Sequence, residues 1–263
     1  MLNYFTEKNL KKMPKRPEIN LTREELNRAE IPINHVLIKI TRRVEGLKTK
    51  AGVTVGFNTD EVYADGDDSH SANLAEIVGW VAKVPEKLYF NPDDNVSMDW
   101  ETDMELEVGD QVWFSLLESK NSVQLMCEEV LYKSVPYQDI YVAKRMHFWR
   151  ENSIIESGTA ITTLNGYVLC EPCYEPKLSD LAHLSKDKVD MTRGVIKFIG
   201  SAPKAYLREA YCHIEDLRVE DEVLFDRRTP LFYLERMGYT GIFDDGKQYW
   251  IAMRRRIALV LNR

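Results

Sequence analysis

Cysteine is scarce in this chain, which has four cysteines in 263 residues. So few cysteines do not make a disulfide scaffold in a chain of this length, and we therefore expect a reducing compartment. The sequence also lacks an apolar run long enough to span a bilayer, and its start lacks the apolar segment of a secretory signal. With 44% apolar and 29% charged residues, the composition predicts a soluble, cytoplasmic protein with apolar cores.

An excess of positive charge is absent as well. Lys and Arg number 35 against 42 Asp and Glu, which gives a formal net charge of −7. A nucleic-acid partner is attracted by a basic surface, so we expect neither nucleic acid nor a membrane as the partner. Acidic residues concentrate between Asp93 and Glu107. Their spacing does not follow a calcium loop, and the run predicts a solvated face.

The signatures of catalysis are missing too. No G-x-G-x-x-G motif follows a predicted strand, which argues against a dinucleotide-binding unit. The five histidines are scattered, and no nearby constellation with Ser or Cys suggests an activated nucleophile. We therefore expect no enzymatic activity, no catalytic residue and no cofactor.

The tightest grouping of metal-ligand residue types is Cys170 and Cys173, with Cys212 and His213 later in the same half. Four such ligands could hold zinc tetrahedrally. Cys170, however, ends an apolar strand, where a free cysteine packs as a small hydrophobic residue. The second pair also lacks the usual ligand spacing. We expect packing rather than metal binding, with a zinc site as the alternative.

What the sequence does contain is a repeat of nine residues. Leu106–Phe114 reads LEVGDQVWF, and Leu217–Phe225 reads LRVEDEVLF. Gly109 and Asp110 are a turn signal between two β-rich runs, because glycine adopts positive φ without penalty and Asp can bond its own backbone. Two copies of this nonapeptide indicate a duplicated β domain.

Each half of the chain shows the same order of short strands, turns and long loops, which is typical of an all-β barrel or sandwich. We predict a short N-terminal arm at 1–30, domains at 31–144 and 161–263, and a polar, partly helical linker at 145–160. Within the arm, Thr22 and Glu25 have the spacing of a capping box, which predicts a short helix.

A long segment rich in glycine and acidic residues follows the opening strand, from Val44 to Asn73. Loops of this length inside a compact domain tend to be functional or disordered. The apolar cluster Val53–Phe57 interrupts the segment. It could bind a partner or anchor the loop in a core, and the residues leave both alternatives open.

These segments, taken in order, resemble the GroES-like co-chaperonins. The resemblance is carried by Val108–Phe114, Glu128–Tyr132, Asp139–Ala143, Arg193–Ile196, Trp250–Met253 and Ile257–Val260. It covers nearly everything from Ile31 to the end of the sequence. It implies an all-β fold of two tandem GroES-like β-barrel domains behind a short N-terminal arm.

The resemblance also implies a function. Members of the family form homo-oligomeric, non-enzymatic lids that cap an ATP-driven, GroEL-like chaperonin ring through a mobile loop and enclose unfolded protein substrates. By resemblance the chaperonin-binding loop residues are Gly52, Val53, Thr54, Val55 and Phe57. The nearest equivalents in the second domain are Leu181, Ala182 and Leu184.

Two further alternatives stay open. Tandem chains cannot fill a single ring that has an odd number of domains, so they would form stacked layers or a ring with an even number of domains. The duplicated barrels could also serve as a structural or adaptor protein, for example as a viral assembly component.

Overall fold

The computed structural model describes residues 19–40, 47–48, 54–55, 77–94, 97–115, 122–151, 154–174, 189–202, 204–206, 217–225 and 249–262. Within them the chain is mostly β-strand, as the sequence predicts. The strands are β1 (Ile19–Asn20), β2 (His35–Ile40), β3 (Leu47–Lys48), β4 (Thr54–Val55), β5 (Val78–Lys83), β6 (Trp100–Glu101), β7 (Gln111–Phe114), β8 (Val123–Cys127), β9 (Val130–Pro136), β10 (Ile140–Glu151), β11 (Ile154–Thr163), β12 (Tyr167–Tyr174), β13 (Val189–Ile199), β14 (Ala205–Tyr206), β15 (Glu222–Phe225), β16 (Trp250–Met253) and β17 (Ile257–Val260).

Two principal sheets contain most of these strands. One has eight strands in the order β1-β8-β9-β2-β5-β7-β10-β11, and the other has five in the order β16-β12-β13-β15-β17. Over the described ranges both sheets are open, so the two closed barrels that we expected are not seen there. No described helix is long and apolar enough to cross a membrane.

The two sheets share a five-stranded unit. Strands β9-β2-β5-β7-β10, which we call the first repeat, follow the same order as β16-β12-β13-β15-β17, the second repeat. The β-bulges coincide as well. The register shifts after Leu37 in the first repeat and after Leu169 in the second. A second pair of shifts lies in the β7–β10 and β15–β17 pairings. This common register agrees with the duplication that the nonapeptide predicts.

The nonapeptide forms the same turn in both repeats. The Asp110 carboxylate accepts a hydrogen bond from the backbone N–H of Glu107 at 2.8 Å, and Asp221 accepts one from Arg218 at 2.8 Å. Gly109 has a φ of 97°, as a glycine-containing turn requires. The sequence prediction of a turn at Gly109 and Asp110 is confirmed.

The N-terminal arm is held against the first repeat by a short helix. Helix α1 (Arg23–Arg28) begins at a capping box in which Thr22 and Glu25 bond each other's backbone N–H groups, as predicted. Leu26 is its buried residue and packs in a cluster with Leu37 of β2.

The predicted linker is strand rather than helix. Strands β10 and β11 pair from Val142 opposite Thr163 to Glu151 opposite Ile154. Only the part of β10 before Arg145 also pairs with β7. The sequence did not reveal this hairpin, because its residues do not alternate regularly between apolar and polar.

A shared apolar cluster joins the two repeats. Its buried members are Ile77, Trp113 and Val142 from the first repeat with Tyr167, Leu169, Tyr249 and Ile251 from the second. Buried Asn165 donates to the carbonyls of Tyr137 at 2.8 Å and Ile140 at 3.1 Å in the first half of the chain. Strands β6 and β14, one from each half of the chain, pair antiparallel. The two repeats therefore pack on each other through a continuous, buried contact.

Candidate functional site

The predicted chaperonin-binding loop leaves and re-enters the first repeat at neighbouring positions. Ile40, the last residue of β2, pairs with Gly79 near the start of β5. A Cβ on Gly79 would lie 2.5 Å from Cγ2 of Ile38 and 2.6 Å from the carbonyl oxygen of Lys39. Only glycine therefore allows this close approach of the two strands at the base of the loop.

Within the loop the structure describes a small hairpin. Leu47 pairs with Val55 and Lys48 pairs with Thr54 in antiparallel register. Thr54 and Val55 thus lie on the return strand of a hairpin whose connection is residues 49–53. The other predicted binding residues, Gly52, Val53 and Phe57, lie outside the described residues. The pairing with Leu47 and Lys48 was not predicted, because two-residue strands carry no periodicity.

The second repeat has a comparable insertion. Pro172 pairs with Gly194, and β12 and β13 continue together to the pair of Tyr174 with Val189. Counting along the shared register, Pro172 and Gly194 match Ile40 and Gly79. Residues 175–188 follow, and the predicted Leu181, Ala182 and Leu184 lie outside the described residues.

The structure describes two of the four residues of the zinc alternative, Cys170 and Cys173. Cys170 is fully buried in the core of the second repeat, and this burial raises the pKa of its thiol far above the usual range. Cys173 is half-buried, and it lies three residues further along the same strand. The register shifts between Pro172 and Cys173, and the nearby Cys173 also contributes to the raised pKa of Cys170. Cys212 and His213 lie outside the described residues.

No group of three or more His, Cys, Asp or Glu side chains within the described ranges is arranged to hold a metal ion. The acidic segment before β7 instead makes contacts with the second half of the chain. Lys204 Nζ donates to Asp103 at 2.7 Å, and Ser201 Oγ donates to Glu105 at 2.9 Å. Burial raises the pKa of the Glu105 carboxyl. The prediction of a solvated acidic face therefore misses Glu105, which is half-buried between the repeats.

The nonapeptide turn of the first repeat carries a dense ion-pair network. Arg145 of β10 donates to both carboxylate oxygens of Asp110, at 2.8 and 2.7 Å, and to Glu107 at 2.7 Å. Asp110 is 2% exposed and the Arg145 side chain is 28% exposed. The hydrogen bonds to Asp110 are the main reason that the pKa of Arg145 is raised. This network fixes the turn against β10.

The chain matches no protein-family model, no curated protein and no solved structure in comparisons of these three kinds. A function for this protein is therefore proposed from its own repeats, loops and contacts.

Proposed function

We propose that this protein is a tandem co-chaperonin: a non-enzymatic, cytoplasmic lid that oligomerises and caps a GroEL-like chaperonin ring. The supporting observation is that the two repeats share a five-strand order and the same β-bulges. Each repeat also carries a long insertion, between β2 and β5 in the first and between β12 and β13 in the second. On this proposal each repeat is a GroES-like unit, and the ring encloses an unfolded protein substrate.

The insertion after β2 supports a docking role for the loop. Its two ends are held on adjacent, paired strands at Ile40 and Gly79, so the loop can bind without disturbing the sheet. Binding by a loop that orders on contact keeps affinity modest, because ordering costs conformational entropy. A lid that must be released after each cycle needs this property. The proposed contact residues are Val53, Thr54 and Val55.

The proposal is tested by the mass of the protein mixed with a GroEL-type chaperonin ring, with and without ATP. We expect a complex that forms only with nucleotide. Replacing Val53 and Val55 by Ser should abolish it, because the loop then loses its apolar contacts.

A matched control uses two other valines. Val108 and Val219 are 64% and 53% exposed at the tips of the two nonapeptide turns, and their replacement by Ser should leave the complex intact. A complex that survives the Val53 and Val55 changes would overturn the loop assignment. Absence of any complex with ATP would overturn the co-chaperonin proposal.

The buried junction between the repeats favours a second candidate function. A chain whose two units share an apolar cluster and a strand pairing is suited to act as one rigid building block. It could serve as a structural or adaptor protein, for example in a viral particle. A defined oligomer that ignores the chaperonin under both nucleotide conditions is the outcome expected for this candidate.

A further inference from the structure

The same face of the two repeats is covered by two different parts of the chain. We call it the docking face. The shared register matches Leu37, Tyr132 and Lys83 of the first repeat to Leu169, Tyr249 and Phe198 of the second. These residues form the docking face in each repeat. What lies on it differs.

On the second repeat the docking face is covered by the first repeat. Trp113 and Val142 of the first repeat are buried in one cluster with Leu169 and Tyr249, and Phe198 packs against that cluster. Trp113 is 1% exposed and Val142 is 0% exposed. The face is therefore one to which a GroES-like unit of this chain can bind.

On the first repeat the docking face is covered by the N-terminal arm. Leu26 of α1 is buried against Leu37, with Tyr132 packed beside them. Lys83 Nζ donates to the carbonyl oxygens of Leu26, Asn27 and Ala29 at 2.6, 3.0 and 2.7 Å, which satisfies carbonyls that the helix end leaves open. The arm therefore occupies, on the first repeat, the position that the first repeat occupies on the second.

The complementary surface of the second repeat is present and exposed. The residues of β15 and β17 that match Trp113 and Val142 are Leu224 and Leu259. Leu224 is half-buried, and Leu259 is 56% exposed. Leu261 at the end of β17 is also exposed. Over the described ranges, the surface that packs onto a docking face is buried in the first repeat and open in the second.

We propose that α1 and a second copy of this chain compete for the docking face of the first repeat. When α1 leaves, Leu224 and Leu259 of the second copy dock on Leu37 and Tyr132, which repeats between chains the contact already made within one chain. Six-residue α1 is too short to be stable as an isolated helix, so its stability depends on its contacts with the docking face. This inference goes beyond the chaperonin contact and is independent of it.

The test compares assembly of variants by sedimentation or light scattering over a range of protein concentrations, without chaperonin. Leu26→Asp removes the buried anchor of α1. Because a docked arm lowers the apparent affinity by the fraction of open molecules, this variant should assemble at a concentration about tenfold lower than the wild type. Arg28→Asp changes an exposed residue of the same helix and should behave as the wild type does.

Two further variants keep the test decisive. Leu26→Ala shortens the same anchor without introducing a charge, so it should also promote assembly and serves if Leu26→Asp does not fold. Leu259→Glu, combined with either variant of the arm, should abolish the increase in assembly. Equal assembly of the arm variants and the wild type, or assembly that persists with Leu259→Glu, would overturn the proposal. Neither result depends on whether the protein binds a chaperonin.

Discussion

The buried ion pair between Asp110 and Arg145 offers a quantitative test of what holds the nonapeptide turn. We consider Asp110→Asn, which keeps an oxygen that can accept from the N–H of Glu107 but removes the charge facing Arg145. Breaking a fully buried ion pair by removing one partner costs about 3–5 kcal/mol. Arg145 is 28% exposed and retains Glu107 and the Glu105 carbonyl as partners. We therefore expect a loss of about 2–3 kcal/mol.

The measurement is the free energy of unfolding from urea denaturation followed by circular dichroism. Glu107→Gln is the matched control, because Glu107 binds the same guanidinium but its side chain is 69% exposed. Exposed pairs contribute little, so this change should cost less than about 1 kcal/mol.

A double-mutant cycle separates the pair from other effects of the substitutions. With Arg145→Met as the second change, the coupling energy to Asp110→Asn should exceed about 1 kcal/mol. The reasoning is refuted if Asp110→Asn costs no more than Glu107→Gln, or if the effects of Asp110→Asn and Arg145→Met simply add.

Three further predictions concern single positions. Gly109→Ala should cost about 1 kcal/mol of stability from the positive φ alone, since a Cβ there meets nothing within 4 Å. Gly79→Ala should cost more, about 1–3 kcal/mol, because its Cβ would meet the Lys39 carbonyl at 2.6 Å. The urea midpoint of unfolding should therefore be lower for Gly79→Ala than for Gly109→Ala. Glu105 has a raised pKa through burial, so its protonated form favours the folded state, and this contribution is complete at low pH and is lost as pH rises through the raised pKa. Glu105→Gln should therefore gain stability over the wild type as the pH rises above about 4, and a pH-independent difference in unfolding free energy would contradict the assignment.

Local features of this protein were predictable from its sequence. The capping box at Thr22 and Glu25 and the turn at Gly109 and Asp110 involve residues within three positions of each other, so their geometry is fixed by short-range sterics and hydrogen bonds. The nonapeptide repeat also predicted the β class and two similar halves. The loop residues Gly52 to Phe57 stay a prediction, tested only by the chaperonin experiment.

The contacts between distant segments were decided by the tertiary structure alone. Asp103 and Lys204 form an ion pair across the halves of the chain, and Glu105 becomes half-buried there. The predicted linker became a strand hairpin for the same reason, because strand pairing depends on a partner that periodicity does not identify.

The docking face shows most clearly which features the sequence determined and which the tertiary structure decided. The sequence determined that Leu37 and Leu169 would lie on strands of similar units, since apolar pattern and turn chemistry act locally. It did not determine that α1 covers one and the first repeat covers the other. Burial of apolar surface is non-directional, so the occupant of such a face is selected by the whole chain's packing and not by the residues of the face.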